Sequence, residues 1–164
     1  MAEGYEICSA RIVRLNAVNH MTVTTQRFSI LITDDDRDVR EALGEIVESK
    51  GFRPILASHG EEALEIVQAE PIHLVMLDMH MPKLTGLETL QLVRQINALL
   101  PAILITADAT LELMRQAFHA QVFSVVPKPV NPHVVLKTVL RALDRVYGTV
   151  ELHPTKPNPG EQTP

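Results

Sequence analysis

Five short apolar runs, each cut off by a polar or charged residue, alternate with stretches of helical period between residues 28 and 147. The runs are Phe28 through Thr33, Arg53 through Ala57, His73 through Asp78, Pro101 through Ile105 and Val122 through Val126. Runs of this length bounded by turn residues read as strands, and nearly unbroken apolar character marks strands buried on both faces. After the first, Val39, Ala42, Leu43, Ile46 and Val47 recur at helical spacing, with Gly51 as a terminator. Helices are predicted over 61–69, from Leu87 to about Ala98, over 108–119 through Leu111, Met114, Ala117 and Phe118, and from Pro132 through Val146. Pro54 suits an edge strand or a strand start. Strand and helix alternating five times imply an α/β fold: a doubly wound parallel sheet, right-handed crossovers, helices on both faces.

The chain's 164 residues, 46% hydrophobic, suit one core with looser ends. Residues 1–27 hold no clear period and are expected to form a poorly ordered N-terminal extension. Residues 148–164, with Pro154, Pro157, Pro159 and Pro164, are expected to be a disordered tail. Too little follows Val146 for a DNA-binding or catalytic domain, so a single-domain protein is expected. A net charge of −5 argues against a nucleic-acid surface. Cys8 stands alone, which excludes an internal disulfide or a cysteine-based zinc site and fits a reducing compartment. No apolar run reaches membrane-spanning length and Glu3 and Glu6 replace a basic leader. The expectation is a soluble cytoplasmic protein.

Function concentrates at the strand ends. In an open parallel sheet the residues just past each strand share one edge, where sites gather. Here they are Asp34, Asp35 and Asp36, then Ser58, Asp78, Thr106 and Lys128. Carboxylates crowded together repel, so the cluster calls for a cation. Hard oxygen ligands suit Mg2+ better than zinc. A lysine and a threonine beside a metal-held carboxylate suit stabilisation of a phosphoryl group.

Four segments then carry a resemblance. Leu31-Ile32-Thr33-Asp34-Asp35-Asp36, Leu77-Asp78-Met79-His80-Met81-Pro82 with Gly86, Ile105-Thr106-Ala107 and Pro127-Lys128-Pro129 resemble the receiver domain of two-component response regulators, over about residues 28–147. The resemblance implies a flavodoxin-like sheet of order 2-1-3-4-5. It implies that Asp78 attacks a phosphohistidine on a sensor histidine kinase or histidine phosphotransfer protein and becomes an aspartyl phosphate. It implies Mg2+ held by Asp35 directly, by Asp34 mostly through water, by Asp78 and by the backbone carbonyl of His80. Thr106 and Lys128 would grip the phosphoryl oxygens, and the bond before Pro129 would be cis.

Blander readings stand beside these. Asp34 and Asp35 also read as caps of the first helix, a role that suits Asp36 better. Thr106 alone reads as a satisfied loop hydroxyl and Lys128 as a solvated loop lysine. The His80 side chain invites a metal reading that the resemblance does not support; His80 and Asp108 suit tuning of water access instead. The other six histidines show no ligand spacing. Two departures stand out: Val125 replaces the aromatic common three residues before the site lysine, and Gln121-Val122 replaces the usual Gly-Ala. The expected function is a single-domain response regulator, a phosphoacceptor rather than an enzyme, able to take phosphate from small donors and to lose it. It would act as a monomer or weak homodimer on another protein, or relay the phosphate onward. One alternative is a receiver-like scaffold that works without phosphorylation. Another is a haloacid-dehalogenase-type phosphatase built on Asp34-x-Asp36, which lacks an acidic pair after Lys128 and any substrate-enclosing insertion, and leaves Asp78 unexplained.

Overall fold

The structure, a computed structural model, describes residues 27–148 in full and residues 7–13, 23–24 and 150–154 as backbone strands. In chain order the elements are β1 (Ile7–Val13), β2 (Val23–Thr24), β3 (Ser29–Thr33), α1 (Arg37–Glu48), β4 (Arg53–Ala57), α2 (Gly60–Ala69), β5 (Leu74–Asp78), α3 (Gly86–Ile96), β6 (Ala102–Thr106), α4 (Leu111–His119), β7 (Ser124–Pro127), α5 (Pro132–Tyr147) and β8 (Val150–Pro154). Strands β4-β3-β5-β6-β7 lie side by side in that order, all parallel. Counted among themselves they run 2-1-3-4-5, the predicted flavodoxin-like order. Pro54 sits on edge strand β4, where a missing N–H costs no ladder bond.

The period of two along each central strand divides the core. Ile30 and Ile32, Leu74 and Met76, and Ile103 and Ile105 face one way, onto Leu43 and Val47 of α1 and Val135, Val139 and Leu143 of α5. Leu31, Val75, Leu77 and Leu104 face the other way, onto Ala63 of α2, Leu90 and Val93 of α3 and Leu113 and Ala117 of α4. Each helix begins at a defined cap. Asp36 accepts from the N–H groups of Asp38 and Val39, Thr85 and Glu88 form a reciprocal capping box, and Asn131 caps α5 ahead of Pro132. Among the described residues no helix is long and apolar enough to cross a membrane.

One expectation needs correction. On α4 the inward residues are Leu113 and Ala117, four apart, whereas Leu111, Met114 and Phe118 face solvent, Phe118 being 79% exposed. The helix carries apolar residues on two sides, and periodicity alone does not say which side meets the sheet. The described parts of the chain ends are three further strands. Strand β1 pairs antiparallel with β2 and with β8, in the order β2-β1-β8. The β1–β8 pairing joins segments almost a full chain length apart, so no hairpin signal announces it. The rest of the expected extension and tail lies outside the described residues.

Candidate functional site

Parallel register builds the site. Thr33 pairs with Leu77, so the next residues, Asp34 and Asp78, leave neighbouring strands at the same level. Asp78 itself pairs with Ile105, and Thr106 pairs with Pro127, which sets Thr106 and Lys128 just beyond. Backbone bonds carry the ladder past the strands: Met79 N–H donates to Ile105 O at 2.8 Å and Lys128 N–H to Thr106 O at 2.7 Å. The Lys128–Pro129 peptide is cis.

The side chains converge. Carboxylate oxygens of Asp34, Asp35 and Asp78 all lie within 4.8 Å of one another. Asp34 is 1% exposed and Asp78 3%, while Asp35 is open to solvent. Lys128 Nζ stands 2.9 Å from Asp34 Oδ2 and 2.9 Å from Asp78 Oδ1. The first contact is one of charge rather than a directed bond, because Asp34 Oδ2 is buried without a hydrogen-bond partner. Burial pushes the Asp78 carboxyl above its ordinary pKa; the bond to Lys128 pulls it back, and the charges of Asp34 and Asp35 push it up again. Burial alone would lower Lys128, but its contacts with the Asp34 and Asp78 carboxylates outweigh that and raise it.

Gly86 closes the wall behind Asp78. A Cβ there would lie 2.5 Å from the Asp78 carbonyl oxygen, so α3 approaches the strand end only because its first residue has no side chain. The Gly86 N–H donates to Met79 O at 3.2 Å. Thr106 is fully buried, and its Oγ1 is engaged in a local turn, accepting from Asp108 N at 3.1 Å and donating to Asp108 O at 3.2 Å. Ser58, the residue after β4, turns to Glu62, which accepts from its N–H and Oγ at 2.7 Å each. The His80 side chain is exposed and stands outside the carboxylate group. Val125 is half-buried against the α2–α3–α4 side of the core.

One contact at the site escapes sequence reasoning. Arg40, on the first turn of α1, donates from Nη1 to the main-chain oxygen of Asp34 at 2.6 Å. The available signal was a cation four residues past the Asp36 cap, since helical side chains lean back toward the N-terminus.

Three converging carboxylates, two of them buried, with a single lysine to offset them form a donor set for a hard divalent cation, and Mg2+ fits it. Asp34, Asp35 and Asp78 are the residues that would hold it.

Comparison with known proteins agrees with this geometry. Residues 30–140 match the family model described as the response regulator receiver domain. The chain is 32% identical over 123 residues to response regulator RR06 of Streptococcus pneumoniae, covering 75% of this chain and 56% of that protein. It is 35% identical over 119 residues to the transcriptional regulatory protein CpxR of Escherichia coli, covering 72% of this chain and 50% of that one. The chain thus spans about half the length of the curated relatives it matches. Among solved structures, a CheY-like receiver domain protein from Methanospirillum hungatei superposes with a TM-score of 0.70 at 28% identity, covering 73% of this chain and 96% of that one. The chemotaxis protein CheY4 of Vibrio cholerae superposes with a TM-score of 0.69 at 26% identity, covering 72% and 100%.

Proposed function

This chain belongs to the response regulator receiver family, and on that premise we propose that Asp78 is its phosphoacceptor in two-component signalling. The receiver unit is residues 28–147. The observation that carries the reading is a buried carboxylate at a strand end, paired at 2.9 Å with Lys128 and flanked by two more carboxylates.

Family members serve as phosphoacceptors for histidine kinases, and the donor here is a phosphohistidine on a kinase or phosphotransfer protein. An Asp78 carboxylate oxygen forms a bond to phosphorus as the phosphorus–nitrogen bond breaks. The electron pair returns to the imidazole, which takes up a proton. Attack requires Asp78 as the anion, and the Lys128 ammonium favours that form against the cost of burial. Asp34, Asp35, Asp78 and the His80 backbone carbonyl would hold Mg2+, which would supply charge to offset the phosphoryl oxygens. Lys128 shares that task, and Thr106 turns its hydroxyl from Asp108 toward the phosphoryl group. His80 and Asp108, two residues beyond Asp78 and Thr106, set how readily water attacks the phosphorus and restores Asp78. The output is a changed set of protein contacts or onward transfer of the phosphate, in line with an acidic chain.

The reading is tested by incubating the protein with Mg2+ and a labelled acyl phosphate, then treating it with hydroxylamine. Label that hydroxylamine releases, together with a hydroxamate mapped to Asp78, is the expected result. Label that survives hydroxylamine, or none at all, removes Asp78 as the acceptor.

A further inference from the structure

We infer that Arg40 is a positioning residue for the cation site: it sets the peptide that joins the two acidic residues and so aims the Asp35 carboxylate. This rests on the reading of Asp34, Asp35 and Asp78 as the Mg2+ site.

Arg40 reaches the loop twice. Its own N–H donates to Asp36 O at 3.0 Å, closing the first helical turn. Its Nη1 donates to Asp34 O at 2.6 Å, the shorter of the two. That oxygen belongs to the Asp34–Asp35 peptide, whose plane fixes the direction in which the Asp35 side chain leaves the backbone. The buried residue of the pair is held independently: Asp34 Oδ1 accepts from Asp36 N at 2.9 Å and Asp34 N donates to Ala57 O. Asp35 is exposed, so its aim depends on the peptide that Arg40 grips.

Arg40 is itself half-buried. The Glu62 carboxyl is held below its ordinary range mainly by the Ser58 N–H and hydroxyl, with smaller help from the charges of His59 and Arg40. The guanidinium is therefore tied to the strand end at Asp34, and Glu62 feels only its charge. Its neighbour Arg37 makes a contrast. Arg37 pairs with Glu41 at 2.7 Å on the open surface, an arrangement that touches no part of the site.

A nearby guanidinium also repels a divalent cation. The two effects oppose each other and respond differently to salt, since repulsion is screened and a half-buried hydrogen bond is not. Loss of a partner that orients a metal ligand weakens metal binding by about tenfold to a hundredfold, which sets the scale.

The experiment is calorimetric titration of the full chain with MgCl2 at low and high KCl, for wild type, Arg40→Met, Arg40→Gln and Arg40→Lys. Urea midpoints in EDTA report the fold. Arg40→Met and Arg40→Gln, which lose the reach to Asp34 O and the charge, should each bind Mg2+ about tenfold more weakly, at both salt concentrations. Arg40→Lys, which keeps one donor and the charge, should recover at least half of that loss on a logarithmic scale. Either neutral variant carries the test if the other fails to fold. Equal or tighter Mg2+ binding by a folded neutral variant, or no recovery by lysine, would overturn the inference. Absence of Mg2+ heat from the wild type would instead overturn the reading of the site itself.

Discussion

The two ends of the same five strands are built on opposite principles. At their C-terminal ends three carboxylates gather around one lysine, and a buried oxygen of Asp34 has no directed hydrogen bond. At the other end an aromatic cluster seals the sheet. Phe28 packs edge-on against Phe52 and His73 with centroids 6.4 and 5.4 Å apart, and Tyr147 closes on both Phe28 and His73 at 5.6 Å. Its buried polar atoms are matched: Ser29 N donates to His73 Nδ1 at 3.0 Å and the Tyr147 hydroxyl to His73 O at 3.0 Å. One end stabilises the fold. The other is held in place by that stability and keeps its charges crowded for use. Substitutions at the two ends should therefore move stability and chemistry separately.

The largest expected effect is at the sealed end. Phe28→Ala should cost about 3–5 kcal/mol of unfolding free energy, read by urea denaturation, yet leave the Mg2+-induced rise in midpoint intact in the folded protein. Asp35→Asn should do the reverse. It relieves repulsion at an exposed position, so its midpoint in EDTA should be unchanged or raised. It should forfeit the stabilisation that Mg2+ gives the wild type, about 2.7 kcal/mol at a hundredfold excess over Kd.

Between these lies Gly86→Ala, which couples the ends. The new Cβ meets the Asp78 main chain, so a loss of about 1–3 kcal/mol should be joined by slower acceptance of phosphate. Gly44→Ala is the control: its Cβ would find only ordinary contacts, 3.5 Å from Leu56 Cδ2. Helix propensity there should raise stability by about 0.5–1 kcal/mol, with phosphate acceptance unchanged.

The smallest effect is set by pH. Burial holds His73 below its ordinary pKa. The unfolded chain therefore binds the proton more tightly than the folded one. The His73 contribution is fully present above pH about 6.5 and is lost as pH falls from there through the folded value, as the Nδ1 acceptor is protonated. His73→Asn offers an acceptor that does not titrate, so it should flatten this acid limb, a change on the order of 1 kcal/mol. An equally steep limb in the variant would place the proton elsewhere.

How much of this could be read from sequence follows from how local each cause is. The strands and their parallel direction are legible because Ile30, Leu31 and Ile32, or Val75, Met76 and Leu77, must be buried on both faces, whereas their order comes from the resemblance. The carboxylates of Asp34, Asp35 and Asp78 are legible because a parallel sheet puts strand ends on one edge. The inward face of α4 is not legible, since Leu111, Met114 and Phe118 have the same spacing whether they point in or out. Nor is the β1–β8 pairing, whose partners are joined only by the folded chain between them. Arg40 and His73 were missed for another reason. Both act on backbone groups, Asp34 O and Ser29 N, and a main-chain partner leaves no residue type to notice.

The most direct test of the central claim is the intact mass of wild type and Asp78→Asn after incubation with a small acyl phosphate, with Mg2+ and with EDTA. The account predicts one added phosphoryl group in the wild type with Mg2+ and none in the other three samples. An equal adduct on Asp78→Asn, or one that forms as readily in EDTA, would contradict it.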